Sequence, residues 1–322
     1  MNILPYKLTT TNDQLTSRAG LLTIAQLMQS MQLGEHIDQQ FPQPGSNRGF
    51  KPSVFIETLI LMQHEGSFHL DDVRNLHEEE ALMSVLGLKR LPKASALGEW
   101  LRRMGKEPTA FKAWNRVNQR ILQTALHHKR EVTLDIDASE IVANKSEAQW
   151  TYKKNRGYMP MVGHIAEVSQ IVGDFREGNA APAKENLEFI QQCEKGLPEG
   201  VSLKRLRIDS AGYQIKIIQY CDQQDIEYAI RAKMSRAIKE QIDAFEESEW
   251  KPLPNHQGEE IRNQQTCRMV HWIGGYEKPF TLIIQRKQIK GQAALDLEQE
   301  ESAEQISDDR YIYRAIATNR EE

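Results

Sequence analysis

Two stretches of the chain decide its fold, Val132-Thr133-Leu134-Asp135-Ile136-Asp137 and Leu203-Lys204-Arg205-Leu206-Arg207-Ile208-Asp209. Apolar and polar side chains alternate along both stretches, which is the period-two pattern of a half-buried β-strand. Each stretch ends on an aspartate, so the sequence predicts two strands that hold Asp137 and Asp209 rigidly at their ends. Because aspartate also starts turns and caps helices, either acid alone is more typical of a structural role.

The two acids together favour a cation site. Two carboxylates on neighbouring strands can hold a divalent cation, and hard oxygen ligands suit Mg²⁺ or Mn²⁺. In sites with two such ions, one activates the attacking oxygen of a phosphoryl transfer and the other stabilises the leaving oxygen. That is the chemistry of cutting or joining DNA. Asp135 is a competing first ligand, because alternation along its strand places it on the same sheet face as Asp137.

Several segments in order along the chain resemble one known family. Leu134-Asp135-Ile136-Asp137-Ala138-Ser139 resembles the first-aspartate motif of bacterial insertion-sequence transposases of the DDE type. Arg207-Ile208-Asp209-Ser210-Ala211-Gly212-Tyr213 resembles their second-aspartate motif. The further segments that resemble the family are Gly157-Tyr158-Met159-Pro160, Gly178-Asn179-Ala180-Ala181-Pro182-Ala183-Lys184 and Tyr311-Ile312-Tyr313-Arg314-Ala315-Ile316-Ala317-Thr318-Asn319. The resemblance covers nearly the whole chain.

The resemblance implies an α/β fold with an RNase H-like mixed sheet core, an N-terminal helical region and a C-terminal β-rich insertion. It implies that Asp137 and Asp209 are catalytic and coordinate Mg²⁺ (or Mn²⁺), with Ser139 and Ser210 supporting the metal ligands. Asp137 fits the Asp-x-Ser pattern of the family motif better than Asp135. The implied reaction is metal-dependent hydrolysis of the phosphodiester at transposon ends, after which the freed 3′-OH attacks target DNA. The implied partners are double-stranded DNA, as transposon ends and target, and further copies of the chain at synapsis.

The third acid of the family, a glutamate on a later helix, has no evident counterpart in this sequence. Glu321 and Glu322 stand at the end of the chain, where disorder is the default, so they are poor candidates. Glu140 and Glu177 near the strands are candidate substitutes, although both are more typical of surface acids. Three hypotheses stay open: a truncated transposase, an inactive fragment that only binds DNA or a full-length partner, and a nuclease-like enzyme with a substitute acid.

Length and composition indicate a protein with one or two well-buried domains, since the chain has 322 residues of which 39% are hydrophobic. No apolar run approaches the roughly 18–20 residues of a membrane span, and the first residues lack the apolar region of a signal peptide. Cys193, Cys221 and Cys267 are widely spaced and form no metal-type pair. Phosphate-binding loops, nucleophile elbows and zinc spacings are absent. We therefore expect a cytoplasmic, nucleoid-associated protein without a membrane partner.

The net charge of −4 conceals a local excess of positive charge. Residues 86–130 contain eleven Lys and Arg against two acids, a local charge of +9. A basic face is what contact with DNA phosphates requires, although a solvated helix surface has the same composition. A polar span after Asp137 carries a second basic group. The residues predicted to contact DNA are Lys89, Arg90, Lys93, Arg102, Arg103, Lys106, Lys153, Lys154 and Arg156.

The change from helical periodicity to strand-like alternation along the sequence predicts three regions. Residues 1–130 form a helical, basic DNA-binding region, residues 131–232 the first part of the RNase H-like core, and residues 233–322 a helix and the β-rich insertion, ending before the expected glutamate-bearing helix. The helices of the first region would form either a helix-turn-helix-like DNA contact or a plain supporting bundle. Trp100 and Trp114 in this region are expected in the core.

Individual elements follow from periodicity and turn residues. We expect one helix over Leu21–Leu33 and another from Pro52 to Gly66. In the core we expect a hairpin with strands near His164–Val168 and Ile171–Arg176, and a helix that Asn179 caps and that starts at Pro182. His164 is more typical of a core or surface position than of a substrate contact. The later elements expected are an amphipathic helix over residues 233–248 and strands near Thr266–Trp272, Phe280–Arg286 and Tyr311–Ala317.

Overall fold

The structure is a computed structural model that describes residues 2–3, 6–7, 10–46, 48–88, 90–289, 306–307 and 310–320, with the backbone alone at 2–3, 6–7, 170–171 and 306–307. The chain divides into two compact units, Met1–Thr124 and Ala125–Glu322. The first unit is mainly helical, and the second is built on a large sheet with helices. The three regions predicted from the periodicity of the sequence stay a prediction.

Helices make up most of the first unit. Its elements are β1 (Asn2–Ile3), β2 (Tyr6–Lys7), α1 (Gly20–Ser30), α2 (Leu33–Gln40), α3 (Pro52–Glu65), α4 (Arg74–His77), α5 (Glu80–Val85), α6 (Ala94–Lys106) and α7 (Pro108–Ala125). Helix α3 begins and ends where predicted. Pro52 stands in its first turn, where a missing N–H leaves no helical bond unmade. Gly66 ends the helix at φ 88°, in the left-handed region that favours glycine.

Two expectations for the first unit are wrong. The run Leu21–Leu33 forms parts of two helices, because Gln32 adopts a left-handed conformation (φ 53°) between α1 and α2. Trp100 is buried as predicted, with 5% exposure, but Trp114 is 43% exposed. The buried stripe of α7 consists of Ala110, Ala113, Val117, Asn118 and Leu122. Trp114 lies on the same side of the helix as this stripe, four residues from both Ala110 and Asn118, yet its side chain is covered only in part.

The second unit contains the long sheet. Its elements are β3 (Glu131–Ala138), β4 (Ile141–Val142), β5 (Gln149–Trp150), β6 (Arg156–Tyr158), β7 (Met161–Ile165), β8 (Gln170–Asp174), α8 (Asn186–Lys195), β9 (Ser202–Ile208), α9 (Ile215–Gln223), β10 (Glu227–Arg231), α10 (Arg236–Asp243), β11 (Lys251–Pro254), β12 (Glu260–His271), β13 (Phe280–Gln288), β14 (Ile306–Ser307) and β15 (Tyr311–Thr318). The strand order is β11-β12-β13-β15-β10-β9-β3-β7-β8, with β14 beside β15. Strands β3, β9 and β10 are parallel, and the other neighbours in this order pair antiparallel. The expected mixed α/β architecture is confirmed, and the β-rich C-terminal strands continue the same sheet.

The central strands have one buried face and one more exposed face. In β3 the side chain of Leu134 is buried, whereas Asp137 is exposed. Helix α8 packs on the buried face so closely that a Cβ on Gly163 would lie 3.3 Å from atoms of Phe189 and Cys193. Because successive side chains of a strand point to opposite faces, the acids of β3 lie on the face that α8 does not cover.

The bounds of β7, β8 and α8 differ from the sequence prediction. The turn between β7 and β8 covers residues 166–169, so both strands begin and end earlier than expected. Helix α8 begins at Asn186 instead of Pro182, because Glu185 adopts a left-handed conformation (φ 57°) that a continuous helix cannot contain. Asn179 therefore does not cap this helix.

The predicted helix over residues 233–248 is shorter in the structure. Helix α10 begins after Ser235, whose side chain accepts a hydrogen bond from the backbone N–H of Ile238 at 3.3 Å. A short 3₁₀ turn at Glu247–Glu249 follows it. Within the part of the chain that the structure describes, every helix is too short or too polar to traverse a lipid bilayer.

Candidate active site

The two strand-end acids lie on neighbouring strands. Strands β3 and β9 run parallel, and their register pairs Ile136 with Ile208. Asp137 and Asp209 are the next residues on the two strands, so the ladder places their backbones about 4.8 Å apart and their side chains on one face. Both side chains are exposed. The structure thus brings together the two acids that the sequence singled out.

A tight turn presents Asp209 at the end of β9. Its carboxylate Oδ1 accepts a hydrogen bond from the backbone N–H of Ala211 at 3.0 Å. Its carbonyl oxygen accepts another from the N–H of Gly212, also at 3.0 Å. Ser210, which the resemblance assigns a supporting role, is buried in the same turn. These bonds hold Asp209 in its own turn.

Side chains from other elements fix this turn. The carbonyl of Ala211 accepts hydrogen bonds from the amides of Gln214 at 2.6 Å and Asn186 at 3.3 Å. Asn186 in turn accepts a hydrogen bond from the buried guanidinium of Arg176 at 3.3 Å, and burial lowers the pKa of Arg176. Sequence reasoning missed Asn186, Gln214 and Arg176. No local signal identifies them, because each reaches the turn through the tertiary fold.

Asp135 and Asp137 have different surroundings. The carboxylate of Asp135 forms a bidentate ion pair with Arg207 of β9, with Nη2 at 2.6 Å from Oδ2, and lies 3.5 Å from Nδ1 of His164. Asp137 makes no side-chain hydrogen bond or ion pair with any other residue in the described ranges. The ion pair occupies both oxygens of Asp135, so Asp137 is the better candidate for a metal ligand.

The ion pair of Asp135 predicts a pH-dependent stability. Burial alone would raise the pKa of Asp135, but the hydrogen bond and charge of Arg207, with a smaller effect of His164, lower it. A carboxyl whose pKa is lowered by folding stabilises the fold above its unfolded value of about 3.9 and loses that contribution as the pH falls. We expect the stability difference between the wild type and Asp135→Asn to be constant at neutral pH and to shrink below about pH 4. Urea unfolding over a pH series measures it, and a difference that grows on acidification would contradict the assignment.

The two candidate substitutes for a third acid have different surroundings. Glu140 accepts hydrogen bonds from the hydroxyl of Thr151 and from the amide of Asn155, at 3.2 Å for the amide. Glu177 is exposed, and its backbone bridges to Tyr158. The described ranges contain no group of three or more His, Cys, Asp or Glu side chains that could hold a metal ion. Glu321 and Glu322 lie outside the described residues.

A cavity of about 480 Å³ on the same face adjoins Asp209. Three arginines are among its lining residues: Arg207, Arg231 and Arg314, from β9, β10 and β15. Guanidinium groups bind phosphate oxygens in a planar, bidentate geometry. Two exposed carboxylates are a donor set that fits Mg²⁺ or Mn²⁺, which complete their shells with water and phosphate oxygens. The arrangement can therefore hold a phosphodiester beside Asp209.

The basic residues predicted to contact DNA fall in both units. In the first unit the guanidinium of Arg90 lies 4.6 Å from the ring centre of Phe50, and Lys93 is exposed directly before α6. The exposed side chains in the last turns of α6 are Arg102, Arg103 and Lys106. Lys89 lies outside the described residues. In the second unit Lys153, Lys154 and Arg156 are exposed around β6.

Comparison with known proteins agrees with this geometry. A family model described as transposase DDE domain group 1 matches residues 5–320. The match includes both strand-end acids and the helical region before them. A search of curated proteins finds no match.

Proposed function

This chain belongs to the transposase DDE domain family, group 1, and we propose that it cuts transposon ends and joins them to target DNA through Asp137 and Asp209. The observation that carries the proposal is the register of β3 and β9, which aligns Ile136 with Ile208 and hence the two acids. The mixed sheet is consistent with the RNase H-like core of such enzymes. A rigid pair of carboxylates beside an arginine-lined cavity suits phosphodiester chemistry.

The acids would act through a divalent cation. Mg²⁺ or Mn²⁺ bound there supplies Lewis-acid stabilisation of charge on the phosphodiester. Asp137 and Asp209 would bind the cation, and the turn of residues 209–212 keeps the second acid in a fixed position. The ion pair between Asp135 and Arg207 would keep a positive charge beside the acids, where the scissile phosphate enters. Ser139 lies two residues after Asp137, and Ser210 directly follows Asp209. We propose that these serines support the metal ligands.

The helical region and the core would both contact the DNA. We propose that Arg90, Lys93 and the basic end of α6 contact the backbone of double-stranded transposon DNA, since phosphate contacts position a protein on the duplex. The core of residues 131–232 would then hold the cut point. Joining two transposon ends to one target requires two active sites, so we propose a homo-oligomer at synapsis. The place of action would be the bacterial nucleoid in the cytoplasm.

The direct test is a cleavage and strand-transfer assay with the purified chain. The substrate is labelled double-stranded DNA that carries the element's own ends, with a supercoiled plasmid as the target, in Mg²⁺ or Mn²⁺. We expect nicks at the ends and covalent joining to the plasmid, and no products with scrambled ends or with EDTA. Tight, end-specific binding without any metal-dependent product would refute the catalytic proposal.

A second candidate function is DNA binding without cleavage. The observation that favours it is that the described residues contain no group of three or more His, Cys, Asp or Glu side chains that could hold a metal ion. Loss of one ligand weakens a metal site and its catalysis. Such a protein would occupy transposon ends or join a complete transposase and act as an inhibitor. Added to an active transposase of the same element, it would lower the yield of strand transfer in proportion to its concentration.

A further inference from the structure

The residues that follow Asp137 fold into a small sheet of their own. Strands β4, β6 and β5 pair in that order within residues 141–158, which we call the hairpin extension. It leaves the main sheet where the N–H of Ser139 donates to the carbonyl of Pro160 at 3.0 Å. Ile141 opens the extension four residues after Asp137, so chain length alone keeps it within about 14 Å of that acid.

Close backbone packing makes the hairpin extension a firm platform. A Cβ on Gly157 would lie 2.1 Å from the carbonyl oxygen of Ile141, and a Cβ on Gly178 would lie 2.4 Å from the carbonyl oxygen of Gly157. Only glycine permits such approaches. The tip is also tied down, because Glu140 accepts hydrogen bonds from Thr151 and Asn155.

Two aromatic rings on the hairpin extension face solvent. Trp150 is 61% exposed and Tyr152 is 59% exposed. Trp150 ends β5, Tyr152 lies in the turn that follows, and Thr151 between them is buried. Aromatic side chains normally bury their large apolar surface, and two of them exposed within three residues of a firmly packed segment indicate a surface that meets a partner.

The charge around these rings identifies the partner as nucleic acid. The extension carries four cationic residues, Lys145, Lys153, Lys154 and Arg156, against the single acid Glu147. The guanidinium of Arg156 lies 5.6 Å from the ring centre of Trp150, and the Lys153 ammonium lies 5.6 Å from that of Tyr152. Proteins that hold single strands combine aromatic platforms for the bases with cations for the phosphates.

We propose that the hairpin extension binds unpaired bases of the DNA strand at the cut point. Trp150 and Tyr152 stack on the bases, and Lys153, Lys154 and Arg156 neutralise the adjoining phosphates. The inference rests on the proposed function, because the hairpin extension begins four residues after Asp137, the acid proposed to act at the cut point. Stacking accepts every base, so this contact adds affinity for opened DNA without selecting a sequence.

The test compares two DNAs of one sequence, a fully paired duplex and a duplex with a few unpaired bases at the end. For the full-length chain with Trp150→Ala or Tyr152→Ala, we expect binding of the opened DNA to weaken about 5- to 150-fold, and binding of the paired duplex to change little. The matched control is Trp272→Ala, which removes another tryptophan, 57% exposed directly after the end of β12. It should leave both affinities unchanged, and unfolding curves of all variants should coincide.

Each result of this test decides the inference. An equal loss on both DNAs, or no loss on opened DNA, overturns the stacking role. If the wild type cuts its own transposon ends while Trp150→Ala leaves binding unchanged, this inference alone fails. If the wild type binds neither DNA, the proposed function fails with it. Retained DNA binding together with loss of a protein partner in Trp150→Ala would assign the platform to that partner and overturn the proposal.

Discussion

Asp137→Asn and Asp209→Asn are each expected to lower metal-dependent cleavage and strand transfer by at least about 10³-fold, since a bound cation supplies several kcal/mol of transition-state stabilisation. Asparagine keeps the size of the side chain and, at position 209, can still accept the hydrogen bond from Ala211. What it removes is the negative charge that holds the cation. Rates of nicking in Mg²⁺ and Mn²⁺ measure the effect, and Mn²⁺ binding to the same variants measures its cause.

Two further substitutions make this result specific. Asp135→Asn breaks an ion pair with Arg207 instead of a metal ligand, so its loss of activity should be far smaller than that of Asp137→Asn. Asp225→Asn changes an acid that is 93% exposed and paired with Lys204, and it should leave the rate unchanged. If Asp135→Asn abolished activity and Asp137→Asn did not, the first metal ligand would be Asp135.

The second large effect is expected in the stability of the sheet. Ile230 lies on the central strand β10 with no solvent exposure, between β9 and β15. Ile230→Ala should lower the free energy of unfolding by about 2–5 kcal/mol, because it removes apolar contacts and leaves a cavity that the packed sheet cannot close. Urea unfolding followed by circular dichroism measures the loss.

The control for Ile230 lies in the same sheet. Val270 on β12 is 54% exposed, and Val270→Ala should change the stability by no more than about 0.5 kcal/mol. The contrast tests the two-faced character of the sheet, which also decides where the acids point. Similar losses from both substitutions would show that the face of β12 around Val270 is covered in solution.

Much of the sheet could be predicted from the sequence, because the signal for a strand is local. Alternation along residues 132–137 and 203–208 predicted β3 and β9 to within a residue or two. The same alternation indicated that Leu134, Ile136, Leu206 and Ile208 are buried, whereas Thr133 and Leu203 are buried outside that pattern. Helix α3 was equally clear, because Pro52 and Gly66 mark its two ends by their own backbone preferences.

The errors arose where distant contacts or single backbone conformations decide the outcome. Trp114 has the helical spacing of the buried residues of α7, but the folded chain leaves 43% of its side chain exposed. The left-handed residues Gln32 and Glu185 interrupt helical periodicity without a glycine or proline to announce them. Periodicity records apolar spacing and says nothing about such turns.

Some features of the candidate site could likewise be predicted from the sequence, and others could not. The sequence by itself determined that Asp137 and Asp209 end two strands, because alternation and strand ends are properties of short segments. Only the tertiary structure decided that Asp135 forms an ion pair with Arg207, which is 72 positions away. It also decided that Asn186 and Arg176 support the turn of Asp209. The register of β3 against β9 was likewise decided by the tertiary structure. Pairing between remote strands depends on how whole faces pack together, and no local pattern of residues records that choice.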